Sequence, residues 1–210
     1  MPDDLSIDRD RRSLFRRGQV FDPKGRHWTT ATEPLAGEPI GLREAVRWLQ
    51  SESGAPCRGP VAVIGPRDAD ETQRQIAFAA GAGLAALGLV LLCGGKGGVM
   101  EAACEGVSSA GGISVGLLPD IEWDAANRFV TIPIATGIGE ARNALVARAA
   151  LAIIAIGGSY GTLSEIAFGL QFGRPVLTLL DPSPIPGTRS MGSAEAALDS
   201  VCRIILSLSS

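Results

Sequence analysis

A chain of 210 residues is long enough to bury a full hydrophobic core, and a formal net charge of -3 supplies no basic field for general nucleic-acid binding. A single histidine, His27, excludes a multi-histidine metal centre, and the scattered Cys57, Cys93, Cys104 and Cys202 lack the spacing of a metal site or disulfide frame. The cysteines read as small buried hydrophobes of a reducing, cytoplasmic setting, and the charged N-terminus does not read as a secretory signal.

Residues 1–59 read as an appendage. Leu14 to Val20 and Arg26 to Thr32 suggest a hairpin around Asp22-Pro23-Lys24-Gly25, which puts His27 on a surface hairpin. Gly41 to Ser51 reads as a helix with Leu42, Ala45, Val46 and Leu49 on one face, and a Gly/Pro-rich linker follows to Pro60.

Residues 60–210 alternate short apolar runs with helical patterns. Strands are expected at Val61–Ile64, Leu89–Cys93, Ile113–Leu118, Phe129–Ile134, Leu151–Ile156 and Pro175–Leu180. Helices are expected at Glu71–Leu87, Val99–Ala110, Ala141–Ala150, Thr162–Phe172 and Ala194–Leu206. Uninterrupted apolar runs mean strands covered on both faces, hence an α/β fold with a doubly wound, mostly parallel sheet and helices on both sides. The stretch Ile76 to Gly95 carries no charge, but its pattern changes from helix to strand at Gly88, so it is read as a helix, a glycine stop and a buried strand rather than a membrane span.

Ligands of such sheets sit beyond the carboxyl ends of the strands, so the strand-to-helix turns are the candidate sites. In the first, Gly65 allows close backbone approach, and Arg67 is either a phosphate contact or an ordinary exposed side chain. The second, Gly94-Gly95-Lys96-Gly97-Gly98, resembles an anion cradle opening a helix but lacks the GK[ST] ending of a Walker loop. The third runs Gly157-Gly158-Ser159-Tyr160-Gly161-Thr162-Leu163-Ser164-Glu165, where Thr162 either caps a helix or binds phosphate. Glu165 either closes a capping box with Thr162 or faces the ligand. Arg142, at a helix start where a cation is disfavoured, either has a ligand role or pairs with Glu140 or Glu165.

CGGKGGVMEAA, TGIGEARN and IGGSYGTLSEI, in this order and spacing over roughly residues 60 to 180, resemble the Lonely Guy family of Rossmann-like proteins, also labelled lysine decarboxylase-like. The likeness is greatest to that family's branch of molybdenum-cofactor-carrier-like proteins. The family's hydrolase branch reads PGGxGTxxE. Gly157 stands for its proline and Ser159 for its second glycine, while Gly158, Tyr160, Gly161, Thr162 and Glu165 match. Arg142 coincides with the arginine of that branch's ExRK element, and Asn143 replaces the lysine. The resemblance implies a homo-oligomer, either a dimer or a dimer of dimers.

Two functions follow from the resemblance. In the first, the protein binds or carries a phosphorylated small molecule, a nucleotide or molybdenum cofactor, with no other cofactor required. The glycine loops Gly94 to Gly98 and Gly157 to Gly161, with Gly158, Tyr160 and Gly161 among them, would then hold the phosphate, with Lys96, Ser159 and Thr162 donating, while Arg142 and Asn143 orient the remainder. In the alternative, a phosphoribohydrolase acts on nucleoside 5′-monophosphates through Glu165 and Arg142, releasing free base and ribose 5-phosphate. A third reading leaves the loops purely structural. Lysine decarboxylation is rejected, because neither Lys24 nor Lys96 stands in a pyridoxal phosphate pattern.

Overall fold

The computed structural model describes residues 4–33, 36–180 and 185–208, which group into two compact units: 1–58 with 199–210, and 59–198. The sequence division ran the second unit to residue 210, whereas the residues from Asp199 onward group with the first. Polar contacts account for this: Arg43 Nε meets Asp199 Oδ1 at 2.6 Å, and Trp28 Nε1 donates to the Leu206 carbonyl at 2.7 Å.

The first unit carries an antiparallel sheet of β1 (Ser6–Asp8), β2 (Ser13–Arg16), β3 (Gln19–Asp22), β4 (His27–Thr30) and β5 (Glu38–Pro39), in the order β4-β3-β2-β1-β5. The single strand expected from Leu14 to Val20 is broken in two, because Arg17 and Gly18 both take positive φ (44° and 75°) and form a tight two-residue turn. The expected hairpin is the next one, β3 against β4, where Asp22 Oδ1 accepts from the Lys24 amide at 3.0 Å. Helix α1 (Leu42–Ser51) buries Ala45, Val46, Trp48 and Leu49.

The second unit holds a seven-stranded parallel sheet of β6 (Val61–Ile64), β7 (Leu91–Cys93), β8 (Ser114–Leu118), β9 (Ile132–Ala135), β10 (Ala152–Ile156), β11 (Val176–Leu179) and the short β12 (Arg189–Ser190). The helices between them are α2 (Glu71–Ala86), α3 (Val99–Ser109), α4 (Arg142–Ala149) and α5 (Tyr160–Gln171), and α6 (Ala194–Ile205) follows β12. Strands β6 and β10 are apolar throughout because both faces are covered. Ala62 and Ile64 pack into one cluster with Val146 and Ala147 of α4 and Ile166 of α5. Val61 and Val63 alternate to the opposite face. There α2 and α3 approach so closely that a methyl group on Gly81 would stand 2.0 Å from the Ala103 carbonyl oxygen.

The uncharged run from Ile76 resolves as the end of α2, a turn at Gly88 (φ 74°) and β7. Among the described residues no helix is long and apolar enough to cross a membrane.

Strand order positions the site. The chain steps outward from β6 through β7 and β8 to β9, then returns to place β10 on the other side of β6. Order therefore reverses between β6 and β10, and the carboxyl ends of these two strands flank the crevice where such sheets take ligands.

Candidate functional site

A cavity of about 820 Å³ opens at that crevice. Gly65, Pro66, Arg67 and Asp68 reach it from the end of β6, and Ser159 to Thr162 from the end of β10. Glu140 to Asn143 enter from the start of α4, Ser164, Glu165 and Phe168 from α5, and Met100 from α3. The volume falls in the range of pockets that enclose a nucleotide-sized molecule.

The floor is an ion pair. Arg142 is 3 % exposed and Glu165 6 %, and Arg142 Nη1 lies 3.3 Å from Glu165 Oε1. Burial pushes the Glu165 carboxyl up to about 7. The nearby Arg142 guanidinium pulls it down by less, and Glu140 adds to the rise. A single contact at 3.3 Å, rather than a two-pronged pair, explains why the guanidinium does not win. The same Arg142 Nη1 donates to Asn143 Oδ1 at 2.5 Å, while Arg142 Nε is buried with no partner among the described residues.

The start of α5 corrects one expectation. The helix begins at Tyr160, two residues before the predicted start, so the cap is Ser159, whose hydroxyl accepts from the Thr162 amide at 3.3 Å. Thr162 lies inside the helix, buried, with its hydroxyl 3.0 Å from that of Ser159. Glu165 therefore closes no capping box with Thr162. It lies more than a turn into the helix on the cavity side. The amides of Tyr160 and Gly161 have no hydrogen-bond partner among the described residues, the ordinary condition of a helix's first turn.

The two glycine loops differ. The loop after β7 does not line the cavity, and several of its polar groups are bound within the fold. The Gly95 amide donates to Cys93 Sγ at 3.3 Å, and the Gly95 carbonyl accepts from the Asn127 amide at 2.9 Å. Lys96 Nζ is bound to Asp120 Oδ2 and to the Ala125 carbonyl, each at 2.9 Å, and Asn127 Nδ2 donates to the Lys96 carbonyl. Gly97 and Gly98 lie against the Arg67 carbonyl. Gly94 supports the site from beneath: a Cβ there would stand 2.3 to 2.7 Å from the Arg142 guanidinium, so only glycine leaves that group its place. Below the loop, the thiols of Cys93 and Cys104 are 3.5 Å apart. The hydrogen bond to Cys104, reinforced by burial, holds Cys93 well above the usual thiol range.

Of the remaining candidates, Arg67 is half exposed and pairs with Glu140 at 3.0 Å. Asn143 is 5 % exposed, and both ends of its amide are engaged, Oδ1 by Arg142 and Nδ2 by Ser164 Oγ at 3.0 Å. Tyr160 is 94 % exposed at the rim, and Gly158 is exposed outside the lining. Sequence reasoning did not select Asp68, Met100, Ser164 or Phe168. A signal existed for two of them: Gly161, Ser164, Glu165 and Phe168 repeat at i, i+3, i+4 and i+7, so they share one face of α5.

A doubly wound parallel sheet with its cavity at the switch point, floored by an arginine–glutamate pair and rimmed by a helix N-terminus, defines a Rossmann-like fold. Residues 58–201 match the SLOG cluster4 family, and the chain belongs to that family. An uncharacterized protein from Archaeoglobus fulgidus is 42% identical over 139 residues, which span 66% of this chain and 91% of that one. The molybdenum cofactor binding protein of the phototrophic bacterium Rippkaea orientalis superposes with a TM-score of 0.67 at 33% identity, covering 70% of this chain and 98% of that one. The Moco carrier protein of Chlamydomonas reinhardtii gives 0.66 at 31% identity, covering 72% and 100%.

Proposed function

We propose that this chain binds and carries a phosphorylated heterocycle, a nucleotide or a molybdenum-cofactor-like pterin, in the cavity between the ends of β6 and β10. The observation that carries the reading is the pairing of two kinds of unmet polar group in one cavity. Among the described residues, the rim holds amides of Tyr160 and Gly161 without a hydrogen-bond partner, and the floor holds the buried Arg142, whose Nε has none either. Amides at a helix N-terminus favour an anion, and the helix dipole adds to them. The likeness to a molybdenum cofactor binding protein and to a Moco carrier protein supports the same reading.

Molybdenum cofactor would enter as cargo. The residues present suit its pterin and phosphate portions: amides for the phosphate, and Arg142 and Glu165 for polar edges. Exposed Leu145 on α4 and Leu163 on α5, the helices that line the cavity, support a homo-oligomer that covers them.

One observation favours a second reading. A carboxyl that titrates at about 7 is suited to proton transfer at neutral pH. As a phosphoribohydrolase, the protein would use Glu165 to activate water or stabilise the cationic sugar, breaking the N-glycosidic bond to give free base and ribose 5-phosphate.

Both readings are tested by equilibrium dialysis of the purified protein against a panel of nucleoside 5′-monophosphates and pterin monophosphates, with free base assayed in parallel. Retention without base release supports the carrier. Base release that disappears in Glu165→Ala establishes the hydrolase. A folded protein that retains none of the panel overturns the carrier reading.

A further inference from the structure

The polar side chains at the floor of the cavity are nearly all spent on one another. Asn143 gives Nδ2 to Ser164 and Oδ1 to Arg142, Ser164 Oγ donates to the Gly161 carbonyl at 2.7 Å, and Thr162 is tied to Ser159. Arg142 and Glu165 are the exceptions: among the described residues Arg142 Nε has no partner. Arg142 engages only Oε1, and Oε2 has no hydrogen-bond partner among the described residues. A carboxylate can accept about four hydrogen bonds. A 6 % exposed one left short of donors bears a desolvation cost that a ligand carrying N–H or O–H groups removes.

The neighbours of Glu165 narrow the class of donor. Phe168 follows it on the same face of α5, and Met100 enters from α3, so the cavity that holds Glu165 is lined in part by apolar surface. Such surface favours the face of a planar ring over a hydroxyl-rich sugar. A carboxylate accepts best from two adjacent, coplanar donors. An adenine edge presents one donor beside an acceptor nitrogen, which faces a carboxylate unfavourably.

We propose that Glu165 determines ligand specificity by accepting from the ring N–H and the adjacent exocyclic amino group of a 2-aminopyrimidin-4-one edge, the edge that guanine and pterins share. This rests on the heterocycle-binding reading above, with Glu165 as a recognition residue.

The test is calorimetric titration of the full chain with GMP, IMP, dGMP, AMP and a pterin monophosphate. IMP keeps the ring N–H but lacks the 2-amino group, so GMP is expected to bind about tenfold or more tightly than IMP, the loss expected for one charge-assisted hydrogen bond. AMP is expected to be weaker than GMP by at least as much, the pterin monophosphate is expected to bind, and dGMP is expected to match GMP. Glu165→Gln should level the GMP and IMP affinities. The wild-type series stands even if that variant does not fold. Equal binding of GMP and IMP overturns the assignment, as does a preference that follows the 2′-hydroxyl, which would move Glu165 to the sugar. AMP binding without GMP or pterin binding overturns it and leaves the carrier reading intact. No binding by any member overturns both.

Discussion

Arg142, at the first position of α4, and Glu165, on α5, meet at 3.3 Å with almost no solvent around either. A buried pair of this kind adds little net stability, but removing one partner leaves the other charge uncompensated. Arg142→Met should therefore cost on the order of 1–3 kcal/mol near pH 8, where the carboxyl, pushed up further without the guanidinium, must either hold its proton against the solution or ionise uncompensated. The loss should shrink near pH 5, where the carboxyl keeps its proton. Urea unfolding at both pH values measures it, and equal losses would mean that Glu165 is not the group compensated.

Gly94 holds Arg142 in place through its missing side chain. Gly94→Ala puts a methyl group 2.3 to 2.7 Å from the guanidinium, which must move because the loop backbone is pinned by Asn127. A stability loss of about 1–3 kcal/mol is expected, as for overpacking elsewhere. Binding of the cavity ligand should fall further than Gly97→Ala makes it fall, since a Cβ at Gly97 meets nothing closer than 3.9 Å. Parallel titration and thermal unfolding of the two variants separate the effects, and matching affinities would break the link between Gly94 and the site.

The fold was legible because β6 and β10 are uninterrupted apolar runs, each ended by a glycine, and such strands are the mark of a parallel sheet covered on both faces. The site was legible in part. Locally the loops after β7 and β10 look alike, each a buried strand, paired glycines and a helix. What separates them is strand order: β10 flanks the switch point and β7 does not. Strand order is a non-local property that no window of sequence displays. The helix cap was misplaced for a related reason. Ser159 and Thr162 can both cap, and Glu165 three residues after Thr162 mimics a capping box, so only the observed start of α5 decides. The turn at Arg17 and Gly18 was hidden because it lies inside the run from Leu14 to Val20, which reads as one strand.

Lys96 tests the sequence reading of an anion cradle directly. Its ammonium is bound to Asp120 and to the Ala125 carbonyl, where it braces the chain after β8. Lys96→Met should lower the melting temperature while leaving affinity for a cavity ligand within about threefold, roughly 0.6 kcal/mol. A loss of binding much larger than that, with unchanged melting, would return Lys96 to the phosphate.

Ser159 caps α5 and Thr162 does not, so Ser159→Ala should cost about 1 kcal/mol of stability, and Ser159→Gly only a few tenths. Chemical denaturation resolves a difference of that size. Identical losses from alanine and glycine would indicate that the hydroxyl serves packing rather than the first-turn amides.

Glu165 also sets a pH dependence whose sign is opposite to that of an ordinary salt-bridged carboxylate. Its ordinary value is 4.5, and burial raises it to about 7 in the folded protein. Between these values the folded chain keeps a proton that the unfolded chain has released. The stability tied to this group is therefore fully present below about 4.5 and is lost as pH rises through about 7, to a total of about 3 kcal/mol. Glu165→Gln carries no such proton, so the stability of the wild type minus that of the variant should fall across this window and level off above it. Guanidinium titrations of both proteins from about pH 5 to about pH 8 give the difference directly. A flat difference would mean that the carboxyl ionises at its ordinary value, and that its pairing with Arg142 outweighs its burial.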